Sequence, residues 1–317
     1  MKTVLVTGAA GFIGSHVVDA LLARDYAVVA LDNLSTGDRS RLDSRAHFVL
    51  GDVRNPDDIA RAFERPVDVV IHIAGQASIS LSFQDPSNDL TVNTLGTINM
   101  LQASLAHNVP RFLFASSMTI YGNPKVVPTP EDAAISPVSY YAVTKYAAER
   151  YVHLTAARRD LGAPFNVTSF RMFNVYGERQ SLTNPYQGVL AIFIGRLLRG
   201  EDIVIHSDGE QSRDFVYVTD VARAWVEAID APATFGQVIN LGTGTPTTVN
   251  QLCDAVLSAN GQSRATYPVS YAAAQLGDLR TSSADITRAR ELLGWEPKIS
   301  LQDGMRRTVE WAMTAIK

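Results

Sequence analysis

An α/β fold built on a doubly wound parallel sheet is the fold class that this sequence predicts. Short β-branched runs alternate with helical patterns through the first half of the chain, a rhythm typical of βαβ units whose helices cover both faces of a parallel sheet. After Gly177 the alternation loosens into a polar loop, a helical pattern and a short strand. Because the 317 residues contain no low-complexity linker, we expect a smaller mixed α/β C-terminal lobe joined closely to the sheet.

The elements follow from these patterns in chain order. Apolar β-branched runs predict strands at 3–7, 27–31, 67–72, 111–115, 166–171, 203–206 and 237–241. Helical patterns predict helices at 14–24, 93–106, 141–155, 189–198 and 218–229. We assign 1–177 to the sheet domain, with returning segments near 215–243, and assign 178–214 and 244–317 to the lobe.

Composition narrows the classes of function. Hydrophobic residues at 46% and charged residues at 19% are typical of a globular enzyme. A formal net charge of -4 without a clustered basic surface argues against nucleic acid as a partner. No apolar run is long enough for a bilayer span or a secretory signal, and Cys253 is the only cysteine, so we expect a cytoplasmic protein. The six histidines show no ligand spacing, and we expect no metal site.

The first strand leads into a glycine-rich turn that is typical of phosphate binding. Gly8, Gly11 and Gly14 stand at three-residue spacing in TGAAGFIGS, with Phe12 and Ile13 at the start of the following helix. Glycine permits positive φ and close backbone approach, and the unpaired N–H groups of a helix N-terminus attract a pyrophosphate. The turn therefore predicts a dinucleotide site of the Rossmann type.

An acidic residue at the end of the second strand indicates which dinucleotide binds. Asp32 follows Gly14 by 18 residues, where a carboxylate can accept hydrogen bonds from both ribose hydroxyls of an adenosine. It would repel a 2′-phosphate, and no arginine directly follows it, so NAD is favoured over NADP. Asp52, in GDVRN after a further short strand that precedes the one at 67–72, is a candidate for the adenine edge.

A tyrosine, a lysine and a serine form a candidate catalytic group. Tyr141 and Lys145 lie one helical turn apart in SYYAVTKYAAE, so their side chains leave one face of the helix. A nearby ammonium would lower the tyrosine pKa from about 10 towards the operating pH, as a general base requires. Ser116 and Ser117 follow the apolar run RFLFA, at a strand end where open parallel sheets bind ligands. Taken alone, Tyr141 and Lys145 could also be surface residues that only pack on the helix, and the two serines could also be turn residues.

With these motifs in this order, the chain resembles the extended short-chain dehydrogenase/reductase superfamily, and within it the UDP-glucose (UDP-galactose) 4-epimerases, over nearly its whole length. Further ordered matches are LDNLSTG, GDVRN, HIAGQAS, NTLGTINML, SSMTIYG, RMFNVYG, NPYQGVLAIFI, DGEQSRDFVYVTDVA and NLGTG. The resemblance implies NAD-dependent 4-epimerisation of a UDP-hexose. In such an enzyme the tyrosine takes the proton of the sugar 4-hydroxyl while hydride leaves C4 for NAD, and the 4-keto sugar turns and accepts hydride on its other face.

The resemblance also assigns roles by position. The catalytic residues would be Ser117, Tyr141 and Lys145. The cofactor residues would be Gly8, Gly11, Phe12, Ile13, Gly14, Asp32, Asn33, Ser35, Thr36, Gly37, Asp52, Val53, Ile73, Ala74, Gly75, Gln76, Asn93, Tyr141 and Lys145. The nucleotide-sugar residues would be Ser78, Ser117, Thr119, Tyr141, Asn174, Gly188, Val189, Val204, His206, Arg213, Gln275 and Asp278. Arg213 suits this role on its chemistry, since a guanidinium binds phosphate oxygens in a bidentate way.

Residues near the candidate serine argue against related reactions. Sugar-nucleotide 4,6-dehydratases carry an Asp–Glu pair after the catalytic hydroxyl residue, and UDP-glucuronate decarboxylases carry a Glu nearby, where this chain has Met118 and Thr119. A C3/C5 epimerase would need a base such as cysteine in the active site, and Cys253 falls in a helical stretch after NLGTG. Simple 4-epimerisation is the reaction that remains.

The substrate segment departs from the family pattern. An arginine usually stands before the Gly–Asp pair where this chain has Gln275, so one diphosphate cation is missing, and Arg264 and Arg280 are candidates to replace it. His206 stands where an aromatic ring often packs on the base, and Met172 replaces a common tyrosine. UDP-glucuronate and dTDP- or GDP-hexoses are therefore alternative substrates, and a catalytically silent NAD-binding regulator is the alternative from another class.

Two further expectations follow from the resemblance. Ser282 falls near the position that gates the sugar 2-substituent, where a tyrosine excludes N-acetyl groups. A serine leaves room there, so UDP-GlcNAc and UDP-GalNAc are expected as additional substrates. The helices at 93–106 and 141–155 imply a homodimer with a four-helix interface.

Overall fold

The structure, a computed structural model, describes residues 1–182, 188–273 and 280–315. Within these residues the strands are β1 (Thr3–Thr7), β2 (Ala27–Asp32), β3 (His47–Leu50), β4 (Val69–His72), β5 (Arg111–Ser117), β6 (Asn166–Met172), β7 (Asn174–Tyr176), β8 (Ile203–His206), β9 (Ser212–Arg213), β10 (Phe215–Tyr217), β11 (Gln237–Leu241), β12 (Thr247–Thr248) and β13 (Val269–Ala272). The α-helices are α1 (Phe12–Leu22), α2 (Pro56–Ala62), α3 (Ile79–Gln84), α4 (Pro86–Leu90), α5 (Gly96–Ala106), α6 (Tyr140–Ala156), α7 (Val189–Arg199), α8 (Val218–Glu227), α9 (Val249–Ala259), α10 (Thr287–Leu293) and α11 (Leu301–Ala315). A π-helical turn, Thr91–Leu95, joins α4 to α5. The predicted substrate residues Gln275 and Asp278 lie outside the described residues.

Parallel strands form the central sheet in the order β11–β6–β5–β4–β1–β2–β3. The chain winds from β1 through β2 to β3, returns to the middle at β4, and then winds in the other direction. Because the winding reverses between β1 and β4, their carboxyl ends form the crevice in which such sheets bind ligands. The doubly wound parallel sheet is confirmed, and the ends of the predicted strands lie close to those observed.

The two faces of the sheet bury separate apolar clusters. Val4 and Val6 of β1 point to one face, where they join a cluster that includes Trp225 of α8. Leu5, between them, points to the other face and joins a cluster that includes Met100 of α5 and Val152 of α6. This alternation is the pleat of a strand whose two faces are both covered by helices. In the described ranges, no helix combines the length and the apolar character needed to cross a membrane.

A third apolar cluster lies beside the sheet. It joins Phe193 of α7, Cys253 of α9 and Val309 of α11 to Ile205 of β8 and Tyr217 of β10. Three two-stranded sheets, β7 with β10, β8 with β13 and β9 with β12, connect the segments around it. The cluster draws on both segments assigned to the lobe and on the returning segment, while the boundaries at 177, 214 and 244 stay predictions.

Candidate active site

The glycine turn connects β1 to α1 in the middle of the sheet. Gly8 has a φ of 67°, and a Cβ there would lie 2.8 Å from the backbone nitrogen of Ala74. A Cβ on Gly14 would lie 2.0 Å from the carbonyl oxygen of Gly8, so no side chain fits at that position. Helix α1 begins after Gly11 with no side-chain cap, which leaves the N–H groups of its first turn for a ligand. The turn fits a dinucleotide pyrophosphate.

Asp32 ends β2 beside this turn and is buried. Its carboxylate accepts hydrogen bonds from the N–H groups of Ala10 (2.9 Å) and Leu34 (2.8 Å). An ionised carboxylate has about four acceptor positions, so capacity remains for ribose hydroxyls. A Cβ on Gly37 would lie 2.8 Å from Asp32 Oδ1, and the N–H of Asp38 donates to the carbonyl of Ala10 (3.0 Å). The loop after β2 therefore folds closely over the glycine turn.

Asp52 has partners that the sequence patterns did not indicate. Its carboxylate forms an ion pair with Arg54 (2.6 Å) and accepts a hydrogen bond from the side chain of Asn33 (2.9 Å). The hydrogen bonds from Arg54 are the main cause that lowers the pKa of Asp52 to about 2. Asp52 thereby holds Asn33 next to Asp32, and its contact with an adenine stays a prediction.

The segment after β4 forms the second wall of the crevice. Thr7 Oγ1 accepts hydrogen bonds from the N–H groups of Ile73 (3.2 Å) and Ala74 (3.1 Å). The Asn93 side chain binds the backbone of Gln76 twice: Oδ1 accepts from its N–H (2.9 Å) and Nδ2 donates to its carbonyl (3.0 Å). Asn93 belongs to the π-helical turn, a deformation that is frequent at functional sites. The predicted residues Gln76 and Asn93 are thus in direct contact.

The other predicted cofactor residues and Ser78 lie on the loops and first turns around this crevice. Ser78 caps α3 by accepting a hydrogen bond from the N–H of Leu81 (3.2 Å). The remaining residues, in the first turn of α1 and in the loops after β2, β3 and β4, are Phe12, Ile13, Ser35, Thr36, Val53 and Gly75.

The predicted catalytic residues form one group beside this wall. Ser117 is the last residue of β5, and Tyr141 and Lys145 lie in the first turns of α6. Ser117 and Tyr141 share a hydrogen bond, and Ser117 Oγ also accepts from Thr119 Oγ1 (2.9 Å). Lys145 is buried, with Nζ 4.4 Å from the centre of the Phe114 ring. The strand end and the helix therefore place a hydroxyl, a phenol and an amine together.

The pKa values of this group differ from the expectation. Burial raises the pKa of Tyr141 above its ordinary value, and the hydrogen bond with Ser117 lowers it only in part. Burial also lowers the pKa of Lys145 to about 8, against the opposing effect of Asp89 and Glu149. The expectation that Lys145 brings the Tyr141 pKa below its ordinary value is therefore wrong for this structure, because the loss of water around the phenol outweighs the favourable contacts.

Asp89 belongs to this site although no sequence pattern pointed to it. The residue is fully buried, and its carboxylate accepts hydrogen bonds from Gln76 Nε2 (2.7 Å), Asn93 Nδ2 (3.1 Å) and Thr144 Oγ1 (2.6 Å). Its sequence context, DPSNDL, is polar and resembles a solvated helix. The one available signal was its spacing of four residues from Asn93, which places both on the same helical face.

Several predicted substrate residues lie beyond the carboxyl ends of β5 and β6. Ser117 is the register partner of Met172 at the end of β6. Asn174, two residues later, donates from its N–H to the carbonyl of Asp214 (2.9 Å). Arg213 directly precedes Asp214 and is partly buried on β9. The structure thus brings Asn174 and Arg213 to the side of the sheet where Ser117 ends its strand.

Neighbouring segments carry the remaining described residues that were predicted to bind the substrate. Ser282 is buried, and its N–H donates to the carbonyl of Ser212 (3.2 Å), one residue before Arg213. Gln211 Nε2 donates to the carbonyl of His206, the last residue of β8 (2.8 Å). Because Gln211 directly precedes β9, this hydrogen bond connects β8 to the strand of Arg213. Farther along the lobe, the structure places the others on β8 and at the start of α7, namely Val204, Gly188 and Val189.

The two candidate replacement cations already have acidic partners. Arg264 forms an ion pair with Asp254 of α9 (2.6 Å) and donates to the hydroxyl of Tyr271 (2.7 Å). Arg280 forms an exposed ion pair with Asp208 (2.8 Å). Both guanidinium groups are therefore held by nearby carboxylates in this structure.

Comparisons with known proteins agree with this geometry. The model of the NAD dependent epimerase/dehydratase family matches residues 4–242. The chain is 40% identical over 317 residues to the UDP-glucose 4-epimerase of Mycolicibacterium smegmatis, with 98% of each covered. It is similar to the structure of UDP-glucose 4-epimerase from Thermotoga maritima with UDP-glucose, at 40% identity and a TM-score of 0.92 over 100% of both chains. It is also similar to UDP-N-acetylglucosamine 4-epimerase from Methanobrevibacter ruminantium in complex with UDP-N-acetylmuramic acid, at 31% identity and a TM-score of 0.90 over 99% of both chains.

These similarities extend along the whole chain and include the crevice between β1 and β4. The prediction of NAD as the cofactor, made from Asp32, agrees with the family that the model describes and is confirmed. Since the family model covers most of the sheet domain and the relatives cover the lobe as well, the chain belongs to the NAD dependent epimerase/dehydratase family.

Proposed function

We propose that the chain catalyses the NAD-dependent 4-epimerisation of a UDP-hexose, with UDP-glucose and UDP-galactose as its first substrates. The observation that carries the proposal is the group of Ser117, Tyr141 and Lys145 at the end of β5, beside the dinucleotide crevice. Full-length relatives named UDP-glucose 4-epimerase support both the reaction and the nucleotide.

Tyr141 is the general base and acid of the proposed reaction. As a phenolate it accepts the proton of the sugar 4-hydroxyl, and as a phenol it returns that proton at the end of the cycle. Ser117, which shares a hydrogen bond with Tyr141, orients the sugar hydroxyl, and the positive charge of the Lys145 ammonium opposes the burial that raises the Tyr141 pKa. The glycine turn and Asp32 would hold NAD, which would supply the hydride acceptor for C4 and the hydride donor for the other face of the 4-keto sugar. Arg213 and Asn174 hold the nucleoside diphosphate while the sugar turns.

Neighbouring residues favour 4-epimerisation over elimination or C3/C5 epimerisation. Met118 and Thr119, which follow Ser117 in a 3₁₀ turn, have no carboxylate to move a proton for elimination. The carboxylate of Glu149 does not serve this purpose either, because it is buried and forms an ion pair with Arg171 (2.7 Å). Cys253 is fully buried in α9, and burial raises its thiol pKa to about 11, which does not suit a base.

The proposal is tested by NMR on the purified chain incubated with UDP-glucose, UDP-GlcNAc or UDP-glucuronate, each without added NAD. New anomeric signals of the C4 epimer are expected with UDP-glucose. If no sugar changes, even after NAD is supplied, the proposal fails in this form, and another nucleotide sugar or a silent NAD-binding protein becomes the better interpretation.

The small side chain of Ser282 supports N-acetylated sugars as additional substrates. Replacing it with tyrosine in Ser282→Tyr fills the space that an N-acetyl group would need, so UDP-GlcNAc turnover is expected to fall about tenfold or more. The rate with UDP-glucose, measured by the same NMR assay, should remain within about twofold, and Ser282→Ala should behave like the wild type. An unchanged ratio of the two rates would show that Ser282 does not gate the 2-substituent.

We further propose a homodimer in which α5 and α6 form the interface. Four apolar side chains on α6 are each about half exposed at helical spacing, and form a stripe consisting of Tyr140, Val143, Tyr151 and Leu154. Light scattering is expected to give twice the mass of the 34.4 kDa chain. Leu154→Glu should shift the protein to the monomer because it places a charge in the stripe, whereas a wild-type monomer would refute the assembly.

A further inference from the structure

Asp89 is a fully buried carboxylate that the proposed mechanism does not use. Its three hydrogen-bond donors, Gln76, Asn93 and Thr144, are all neutral side chains. Burial of a carboxylate is unfavourable unless hydrogen bonds or a cation compensate it. The burial of the Asp89 carboxylate therefore needs either a structural or an electrostatic explanation, and the surroundings of Asp89 provide both.

The hydrogen bonds of Asp89 connect two walls of the site. On one side they reach Gln76 and Asn93, whose mutual contacts set the turn after β4. On the other side they reach Thr144 Oγ1 (2.6 Å), which directly precedes Lys145 on α6. The carbonyl of Thr144 also accepts a hydrogen bond from Thr94 Oγ1 (3.1 Å), so α4, through Asp89, and the π-helical turn, through Thr94, are both bonded to α6. Asp89 thus fixes the catalytic helix relative to the cofactor wall.

The charge of Asp89 acts on Lys145. Burial lowers the Lys145 pKa to about 8, and the carboxylates of Asp89 and Glu149 oppose that effect. Glu149 has its own cation in Arg171 (2.7 Å), whereas the partners of Asp89 carry no charge. On the β4 side, burial lowers the pKa of His72 to about 3, so this imidazole is neutral and adds no charge near Lys145. Of the two described carboxylates that act on Lys145, Asp89 is therefore the one whose hydrogen-bond partners carry no charge.

We propose that Asp89 is a positioning residue of the active site, whose buried carboxylate joins the turn after β4 to the catalytic helix and places a negative charge near Tyr141 and Lys145. The catalytic meaning of this assignment rests on the proposed function. The placement of the charge and its effect on Tyr141 and Lys145 can be tested without any substrate.

The variant Asp89→Asn removes the charge of the side chain and keeps its shape. The amide oxygen can still accept from Gln76 and Asn93, and the amide N–H can donate to the Thr144 hydroxyl, so the connections between the walls are retained. Without the negative charge the Tyr141 phenolate forms more easily and the Lys145 ammonium is harder to keep, so both pKa values fall. The rising and falling limbs of the pH–rate profile are both expected to move to lower pH by about half to one unit.

The primary test is an ultraviolet difference titration of Tyr141. The absorbance of tyrosinate is recorded against pH for the full-length protein, and the same curve for Tyr141→Phe is subtracted. Asp89→Asn, measured against the double variant with Tyr141→Phe, is expected to lower the midpoint by about half to one pH unit. Equal midpoints in the wild type and Asp89→Asn would overturn the proposal. Because no sugar is present, a protein that epimerises nothing still gives a decisive titration.

Asp85→Asn is the matched control. Asp85 lies on the same short segment but is exposed, and it caps α4 by accepting from the N–H of Asn88 (2.9 Å). Asparagine caps a helix about as well as aspartate, so this variant removes one carboxylate charge at the surface and retains the cap. Its Tyr141 midpoint is expected to match the wild type. A shift equal to that of Asp89→Asn would mean that the net charge, and not the buried position, causes the effect.

Thr144 provides a second test if Asp89→Asn does not fold. Thr144→Val removes the hydroxyl that binds Asp89 and leaves the charge in place, while Thr144→Ser keeps the hydroxyl. The valine variant is expected to lose about tenfold in kcat with a small change in KM, and the serine variant to retain the wild-type rate. A valine variant with a wild-type kcat would overturn the role of Asp89 in positioning α6.

Discussion

Tyr141→Phe is expected to lower the epimerisation rate by about three orders of magnitude while the amount of bound NAD stays the same. The change removes one hydroxyl, the group that shares a hydrogen bond with Ser117, and retains the aromatic ring in α6. Positioned acid–base groups contribute roughly 10²- to 10⁴-fold to a rate. Since Tyr141 both takes and returns the proton in the proposed cycle, the loss is expected near the middle of this range rather than at its lower end.

The assay is the NMR time course with UDP-glucose, run beside a measurement of NAD released from the denatured protein. Tyr140→Phe is the control, because it removes the same hydroxyl from the adjacent residue, which is half exposed and packs on Phe83 with the ring centres 5.2 Å apart. Its rate should stay within about twofold of the wild type. A Tyr141→Phe protein that keeps more than a tenth of the rate would refute the assignment, and a parallel loss of NAD would attribute the effect to damaged structure.

The grouping of the candidate catalytic residues was predictable because local geometry determines most of it. A spacing of four residues in a helix places Tyr141 and Lys145 on one face whatever the rest of the fold is. Ser117 ends a buried parallel strand, and the carboxyl ends of such strands meet at one edge of the sheet. The glycine turn is local only in part: the backbone of Gly8 and Ala9 closes the Gly14 position, whereas the distant Ala74 after β4 closes the Gly8 position.

Features that depend on several distant segments were not predictable. The partners of Asp89 come from the turn after β4, the π-helical turn and α6, and no periodicity in the sequence connects these three. The pKa of Tyr141 depends on how much water the surrounding elements remove, which a spacing of residues does not report. Asp52 was predicted to be a cofactor residue from its position after a strand, but its ion pair with Arg54 depends on the conformation of the loop.

The helix predicted at 93–106 shows why short deformations escape a periodic pattern. The α-helix begins at Gly96, and Asn93 lies in the preceding π-helical turn, Thr91–Leu95. A helical period is recognised only over several turns, so one turn with i→i+5 hydrogen bonds leaves no clear trace in the sequence. Helices α3 and α4 are also too short for a periodic signal and were not predicted.

Gly14→Ala is expected to remove NAD binding and to destabilise the fold. The added Cβ would lie 2.0 Å from the carbonyl oxygen of Gly8 and 3.0 Å from the Cα of Ala9, and both neighbours are backbone atoms that no rotamer change can move. Gly8 cannot retreat easily, because its N–H donates to the carbonyl of Leu31 (2.9 Å). Overpacking of this kind costs about 1–3 kcal/mol, so for a chain of this length a fall in Tm of about 2–5 °C is expected, with less than about a tenth of the NAD retained.

Gly162→Ala supplies the comparison, since the structure has no atom within 4 Å of a Cβ at that glycine. Its NAD content and Tm are expected to match the wild type within about 1 °C. The two variants add the same methyl group and differ in what that group meets. If Gly14→Ala loses NAD and Gly162→Ala retains it, the cofactor is assigned to the crevice between β1 and β4. Of the two added methyl groups, only the one at Gly14 collides with the glycine turn. Retention of NAD in Gly14→Ala would instead mean that the close approach of Gly8 and Gly14 is not what binds the dinucleotide.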